Sequence, residues 1–130
     1  ITVDRHSLIL PNEMRLTYPE LAFNPGQNEF SFIGQRNKVE RTYGGKLVEN
    51  ITQALSRIVI TDAMLRLDNN LKPLGGKVVH TVHDEILIVA PQENPDVMLE
   101  LLIDQMCIAP SWASGIPLDA EGAYGVAYAK

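Results

Sequence analysis

Three adjacent residues, His83-Asp84-Glu85, carry the functional groups best suited to chemistry in this chain. Two neighbouring carboxylates offer hard oxygen donors to a divalent cation, and the imidazole beside them can donate or accept a hydrogen bond. Their flanks say how they are held. Lys77 to Pro91 reads KVVHTVHDEILIVAP, with Val78-Val79-His80-Thr81-Val82 before the triplet and Ile86-Leu87-Ile88-Val89 after it. Both runs are short and rich in β-branched residues, and breakers bound them: Gly75-Gly76 before the first, Pro91 after the second. That pattern predicts two strands buried on at least one face. No Asn-Gly or Asp-Gly lies between them, so no turn type follows, but the chain must reverse at the polar triplet. Asp84 and Glu85 are therefore expected at the tip of a rigid hairpin, the support a protein uses to hold a metal over a substrate. Ordinary solvated turn residues would read the same way.

The donor types narrow the metal. On a strand successive side chains alternate faces, so His80 and His83 point to opposite sides, and no second Cys/His pair exists to complete a zinc tetrahedron. A hard ion such as Mg²⁺ suits the site better, since it needs one or two carboxylates plus water and substrate phosphates. Chemistry of that kind normally takes a further carboxylate from another strand. Asp4, Asp119 and Glu121 are candidates for it only by default.

Behind the hairpin, two helices are predicted. From Lys46 to about Leu67, Leu47, Ile51, Ala54, Leu55, Ile58 and Ala63 with Met64 recur at spacings of three and four, uninterrupted by Pro or Gly. Asp68-Asn69-Asn70 and Gly75-Gly76 are read as its end. Gln53 and Arg57 lie one turn apart and share a face of this helix; such a polar row is most simply its wet side. The second helix starts at Asn94 as N-cap, with Pro95 and Asp96 suited to a first turn. Val97, Met98, Leu101, Leu102, Gln105 and Met106 carry it to about Cys107, its stripe packing under the hairpin.

The remaining segments hold less chemistry. Residues 7–33 alternate in short runs broken by Pro11-Asn12, Pro19 and Asn24-Pro25-Gly26, which predicts a small β-meander. Asp4 and His6 are expected to face solvent. Gly44-Gly45-Lys46 precedes a helix but is no phosphate loop, because Leu47 stands where Ser or Thr is required and no glycine lies at the right offset. After Pro110-Ser111-Trp112 the glycine- and tyrosine-rich tail from Pro117 is expected to close as a last edge strand.

At 130 residues the chain suffices for a compact domain with its own core. Its formal charge of −5 denies it the long-range attraction that draws proteins to nucleic acid. The one cysteine, Cys107, excludes an internal disulfide and fits a reducing compartment. No run approaches the ~20 apolar residues that span a bilayer, and no basic-plus-apolar leader opens the chain. Ile1 in place of an initiator Met fits a processed chain or a piece of a longer one.

Val82-His83-Asp84-Glu85-Ile86 between two apolar strands resembles motif C in the palm of family A DNA polymerases. The first helix resembles the one preceding motif C there, through Gln53-Ala54 and Ala63-Met64. Thr42 to Asn50, reading TYGGKLVEN, resembles the version in phage and prophage members, and Pro110-Ser111-Trp112-Ala113 and Glu121-Gly122 resemble their tail. The resemblance covers residues 41–130 in order; residues 1–40 match only a β-rich insertion of some phage-type members. It implies an α+β fold: an antiparallel palm-type sheet with the motif C hairpin on two helices, plus an N-terminal meander over residues 1–40. It further implies a fragment of an enzyme that adds dNMP from a dNTP to a primer 3′-OH by two-metal catalysis, in the cytoplasm of a bacterial host. Asp84 and Glu85 would be the catalytic, Mg²⁺-binding pair. His83 would position the primer terminus, and Gln53, Asn50 and Arg57 would touch the duplex. The aspartate of motif A and the fingers helix are not here, and Glu49 stands four residues before Gln53 where several members have Asn. Primer-template DNA and dNTP are thus partners through the full-length enzyme, and the isolated chain is expected to be inactive. Two other classes also fit the residues alone: a non-catalytic protein-interaction domain, and a metal-dependent phosphohydrolase.

Overall fold

The computed structural model describes residues 1–128 and divides the chain into two compact units, Ile1–Ser56 and Arg57–Lys130. The division falls inside a helix, whereas the sequence-based division at residue 40 follows where the family resemblance begins. The architecture is α+β, with three small antiparallel sheets and two α-helices.

In the first unit the predicted meander resolves into two sheets. Strands β1 (Thr2–Asp4), β2 (Ser7–Ile9) and β3 (Arg15–Thr17) pair in sequence order, and so do β4 (Ala22–Asn24), β5 (Glu29–Ile33) and β6 (Val39–Thr42). Pro19 and the left-handed Glu20 (φ 56°) separate them, because proline has no N–H to continue a ladder. Tyr18 joins them. Its ring is buried and meets Phe32 of β5 edge-to-face, centroids 5.2 Å apart, a geometry worth ~1 kcal/mol beyond area burial. Asp4 and His6 are exposed as expected, and Asp4 is paired with Arg15 at 3.0 Å.

Helix α1 spans Gly44–Leu71, starting before and ending four residues after the predicted limits. Asp68-Asn69-Asn70 does not stop it. Ala63, Leu67 and Leu71 recur every four residues and are buried, and hiding two leucines stabilises by ~1.5–3 kcal/mol each. Asp68 is used rather than exposed as a breaker. Its carboxylate pairs with Lys72 Nζ at 3.0 Å and accepts the Val78 N–H at 3.4 Å. The chain then leaves the helix through a 3-10 turn, Lys72–Leu74, and through Gly75 at φ 74°, a left-handed position that glycine takes without strain.

Strands β7 (Lys77–Val82) and β8 (Glu85–Val89) form the predicted hairpin. Helix α2 covers Pro95–Met106. Asn94 takes the N-cap position without a side-chain cap bond. The other end of α2 is held by Arg66 of α1, whose guanidinium donates to the Gln105 carbonyl at 3.0 Å, a cation placed at the negative end of a helix. Ala63, Leu67, Leu71, Ile86, Met98 and Leu102 make one core cluster, with Val78 and Ile88 packed against it. The hairpin therefore lies on both helices of its unit, as the apolar stripes predict.

The tail departs from expectation. After a 3-10 turn at Ser111–Ala113, residues 114–128 form no strand. They run along α2 instead: the Gly122 Cα approaches so closely that a Cβ there would lie 2.6 Å from Leu99 Cδ1, and Tyr124 Oη donates to Asp96 at 3.0 Å. A helix flank presents no free ladder groups, so a segment seated on it has nothing to pair with as a strand.

Candidate functional site

The pleat decides which way the polar triplet faces. Val82 and Glu85 are cross-strand partners, so the connecting loop is only His83-Asp84, and Glu85 is the first residue of β8 rather than part of the turn. Further down, Thr81 pairs with Ile86 and His80 with Leu87. Ile86 is buried and faces the helices; alternation then sends Glu85 and Leu87 to the opposite face, with His80 and Val82. Between Val78 and His80 the register slips by one residue at Val79. This bulge leaves both Val79 and His80 exposed while Val78 still packs inward, as an extra residue in one strand must.

His83, Asp84 and Glu85 are all exposed. His83 holds φ at 53°, a left-handed conformation that costs a non-glycine residue roughly 1–2 kcal/mol and that is concentrated at functional turns. Asp84 does not share the positive φ, which excludes a type I′ turn, where both central residues need it. Glu85 Oε2 accepts a 3.0 Å hydrogen bond from Tyr128 Oη. Sequence reasoning missed Tyr128 because its contact lies 43 residues away in the tail; the tyrosine-rich composition there was the only signal.

Among the described residues no group of three or more His, Cys, Asp or Glu is gathered for a metal, so Asp119 and Glu121 supply no further ligand to the hairpin. Asp84 and Glu85 alone fit a hard dication in kind, since Mg²⁺ takes one or two carboxylates and completes its shell with water and phosphate oxygens. A zinc tetrahedron they do not fit.

The helix residues fall differently. Asn50 is half-buried in the first unit and donates through Nδ2 to the Tyr18 hydroxyl at 3.1 Å. Gln53 is exposed and donates through Nε2 to Glu49 Oε1 at 3.1 Å, and Glu49 also meets Lys46 Nζ at 2.9 Å. Arg57, exposed, opens the second unit one helical turn on. The structure thus keeps His83 and Asp84 in the loop with Glu85 beside them at the start of β8, and within the first unit the Asn50 amide donates to Tyr18. Charge is also unevenly distributed. Residues 1–56 carry six basic and six acidic side chains, so the whole formal charge of −5 belongs to residues 57–130.

With this geometry in view, the comparisons with known proteins bear on the hairpin. The chain is similar to part of a phage DNA polymerase. It is 35% identical to the DNA polymerase of Bacillus phage SP02 over 122 residues, which is 87% of this chain and 18% of that polymerase. A match over 87% of the chain is too long to be confined to residues 41–130, so it includes some of the β-rich first forty as well. No protein-family model and no solved structure matches the chain. No helix among the described residues is long and apolar enough to cross a membrane.

Proposed function

We propose that this chain is the motif C segment of a family A, phage-type DNA polymerase palm, and that it contributes to transfer of a nucleoside monophosphate from a dNTP to a primer 3′-OH. One observation carries the reading: two adjacent carboxylates stand exposed at the head of a hairpin whose other face is bolted to two helices, in a chain similar to a phage DNA polymerase. Mg²⁺, when bound, would stabilise the attacking and leaving oxygens of an in-line displacement. Asp84 is the principal ligand. Glu85 lies on the outward face of β8 and assists at the edge of the site. His83, held in a strained turn, presents its imidazole to the primer terminus. By the resemblance, Gln53, Asn50 and Arg57 on α1 are the residues that touch the duplex, Asn50 being the one that also donates to Tyr18.

Catalysis by this site needs a second acidic strand and a nucleotide-gripping helix from elsewhere in a longer protein. The test is to read the coding sequence upstream of the Ile1 codon and to assay the full-length product. An aspartate-bearing strand motif, a lysine-bearing fingers helix and Mg²⁺-dependent single-nucleotide extension of a primed template are the expected results. A stop codon in that frame, or a full-length product without incorporation, overturns the proposal.

A further inference from the structure

The tail from Glu121 to Tyr128 is exposed and without secondary structure, yet it is held at Gly122, Tyr124 and Tyr128. Gly122 lies against Leu99 and Ile103 of α2, closely enough that a Cβ there would require the Leu99 side chain to shift. Tyr124 Oη donates to Asp96 Oδ1 in the first turn of α2. Four residues on, Tyr128 Oη donates to Glu85 Oε2 at 3.0 Å. The path thus leads from the flank of α2, past its first turn, to the carboxylate beside Asp84.

We infer that this segment is a strap and that Tyr128 is a positioning residue for Glu85. The inference rests on the metal-site reading given above. The physical need is clear. An exposed glutamate has three rotatable side-chain torsions, and fixing them when an ion binds costs up to ~1.5–2 kcal/mol of entropy. A phenol hydrogen-bonded to one carboxylate oxygen meets part of that loss in advance, and its O–H dipole offsets some of the repulsion between Asp84 and Glu85. The anchors at Gly122 and Tyr124 do for the strap what the core does for the hairpin: they limit where Tyr128 can be.

The purified 130-residue chain can test this by NMR, with Mn²⁺ as the probe. Without metal, nuclear Overhauser contacts between the Tyr128 ring and the Glu85 side chain are expected; their absence overturns the strap. On titration with Mn²⁺, the Asp84 amide and the Tyr128 ring signals should broaden together. Tyr128→Phe keeps the ring but removes the donor, and should weaken Mn²⁺ binding about two- to tenfold, the span of one modest hydrogen bond. A merely structural strap would change thermal stability without changing that affinity, so unaltered Mn²⁺ binding by Tyr128→Phe overturns the positioning role. Asp84→Asn separates the two proposals. If Mn²⁺ still binds that variant with wild-type affinity, the metal-site reading fails even where the Tyr128–Glu85 contacts persist. If Asp84→Asn abolishes binding and Tyr128→Phe leaves it untouched, the site stands and the strap's role does not. No saturable Mn²⁺ binding by the wild-type chain overturns the positioning role as well, since Glu85 then has no ion to be positioned for.

Discussion

Asp84→Asn, placed in a polymerase that contains this segment, should separate chemistry from stability. Asp84 is exposed at the second position of a two-residue turn, and its side chain occupies no packed volume. The amide keeps the size and shape of the acid, so no cavity forms and the fold should change by no more than ~0.5 kcal/mol. Repulsion between exposed neighbouring carboxylates is worth at most about 1 kcal/mol, so removing it could only offset a small loss. The effect on rate is of another order. Loss of an anionic ligand to a hard dication removes several kcal/mol of transition-state stabilisation, or on the order of a thousandfold or more in incorporation. Glu85→Gln should be much milder, because Glu85 faces outward beside the turn and retains an oxygen that Tyr128 can reach. The assay is single-nucleotide extension of a primed template by both variants, with thermal melts of each. Near-normal incorporation by Asp84→Asn with Glu85→Gln inactive would mean that the wrong carboxylate has been assigned. Two active variants would refute the metal site altogether.

Three other outcomes are expected. The isolated 130-residue chain should neither extend a primer nor bind duplex DNA usefully, given a charge of −5 and no gathered group of three metal-binding side chains among the described residues; incorporation in a primer-extension assay, or submicromolar binding by fluorescence anisotropy at physiological salt, would contradict this. Leu67→Ala, at a residue with no exposed surface in the core cluster, should cost about 2–5 kcal/mol in urea unfolding, whereas Leu65→Ala on the exposed side of α1 should be nearly silent. Asp68 gives an acid-sensitive element. Its hydrogen bond from Lys72, and then the Val78 N–H, hold its pKa below the ordinary 3.8, so its contribution is present above that value and is lost as pH falls through the lowered folded one. Asp68→Asn should accordingly flatten the acid limb of stability against pH, read from thermal melts.

Much of the second unit was legible in one dimension. Two β-branched runs flanked by glycines and a proline can hardly be anything but paired strands, and a polar triplet between them must lie where the chain reverses. The apolar spacings of α1 and α2 likewise predict which faces meet the hairpin, because period and burial are coupled. Motif order was also readable, and so was the place of the turn to within one residue, since Glu85 pairs with Val82 and belongs to β8.

Other features depended on contacts that linear order does not contain. Asp68-Asn69-Asn70 reads as a helix stop, but Leu71 is buried against the core and Asp68 is engaged by Lys72 and Val78, so the helix continues. Alternation places Val79 and His80 on opposite faces; a one-residue bulge leaves both exposed, since register is settled by pairing and not by composition. Asn50 donates to a tyrosine 32 residues earlier, a partner that linear order does not announce. The tail looked like an edge strand and lies on a helix, where no ladder groups await it. Local periodicity, in short, determined the strands, helices and turn of this chain. The direction in which Glu85 points, and the tyrosine that reaches it, were decided only when distant segments packed together, because side-chain partners are chosen by proximity in space.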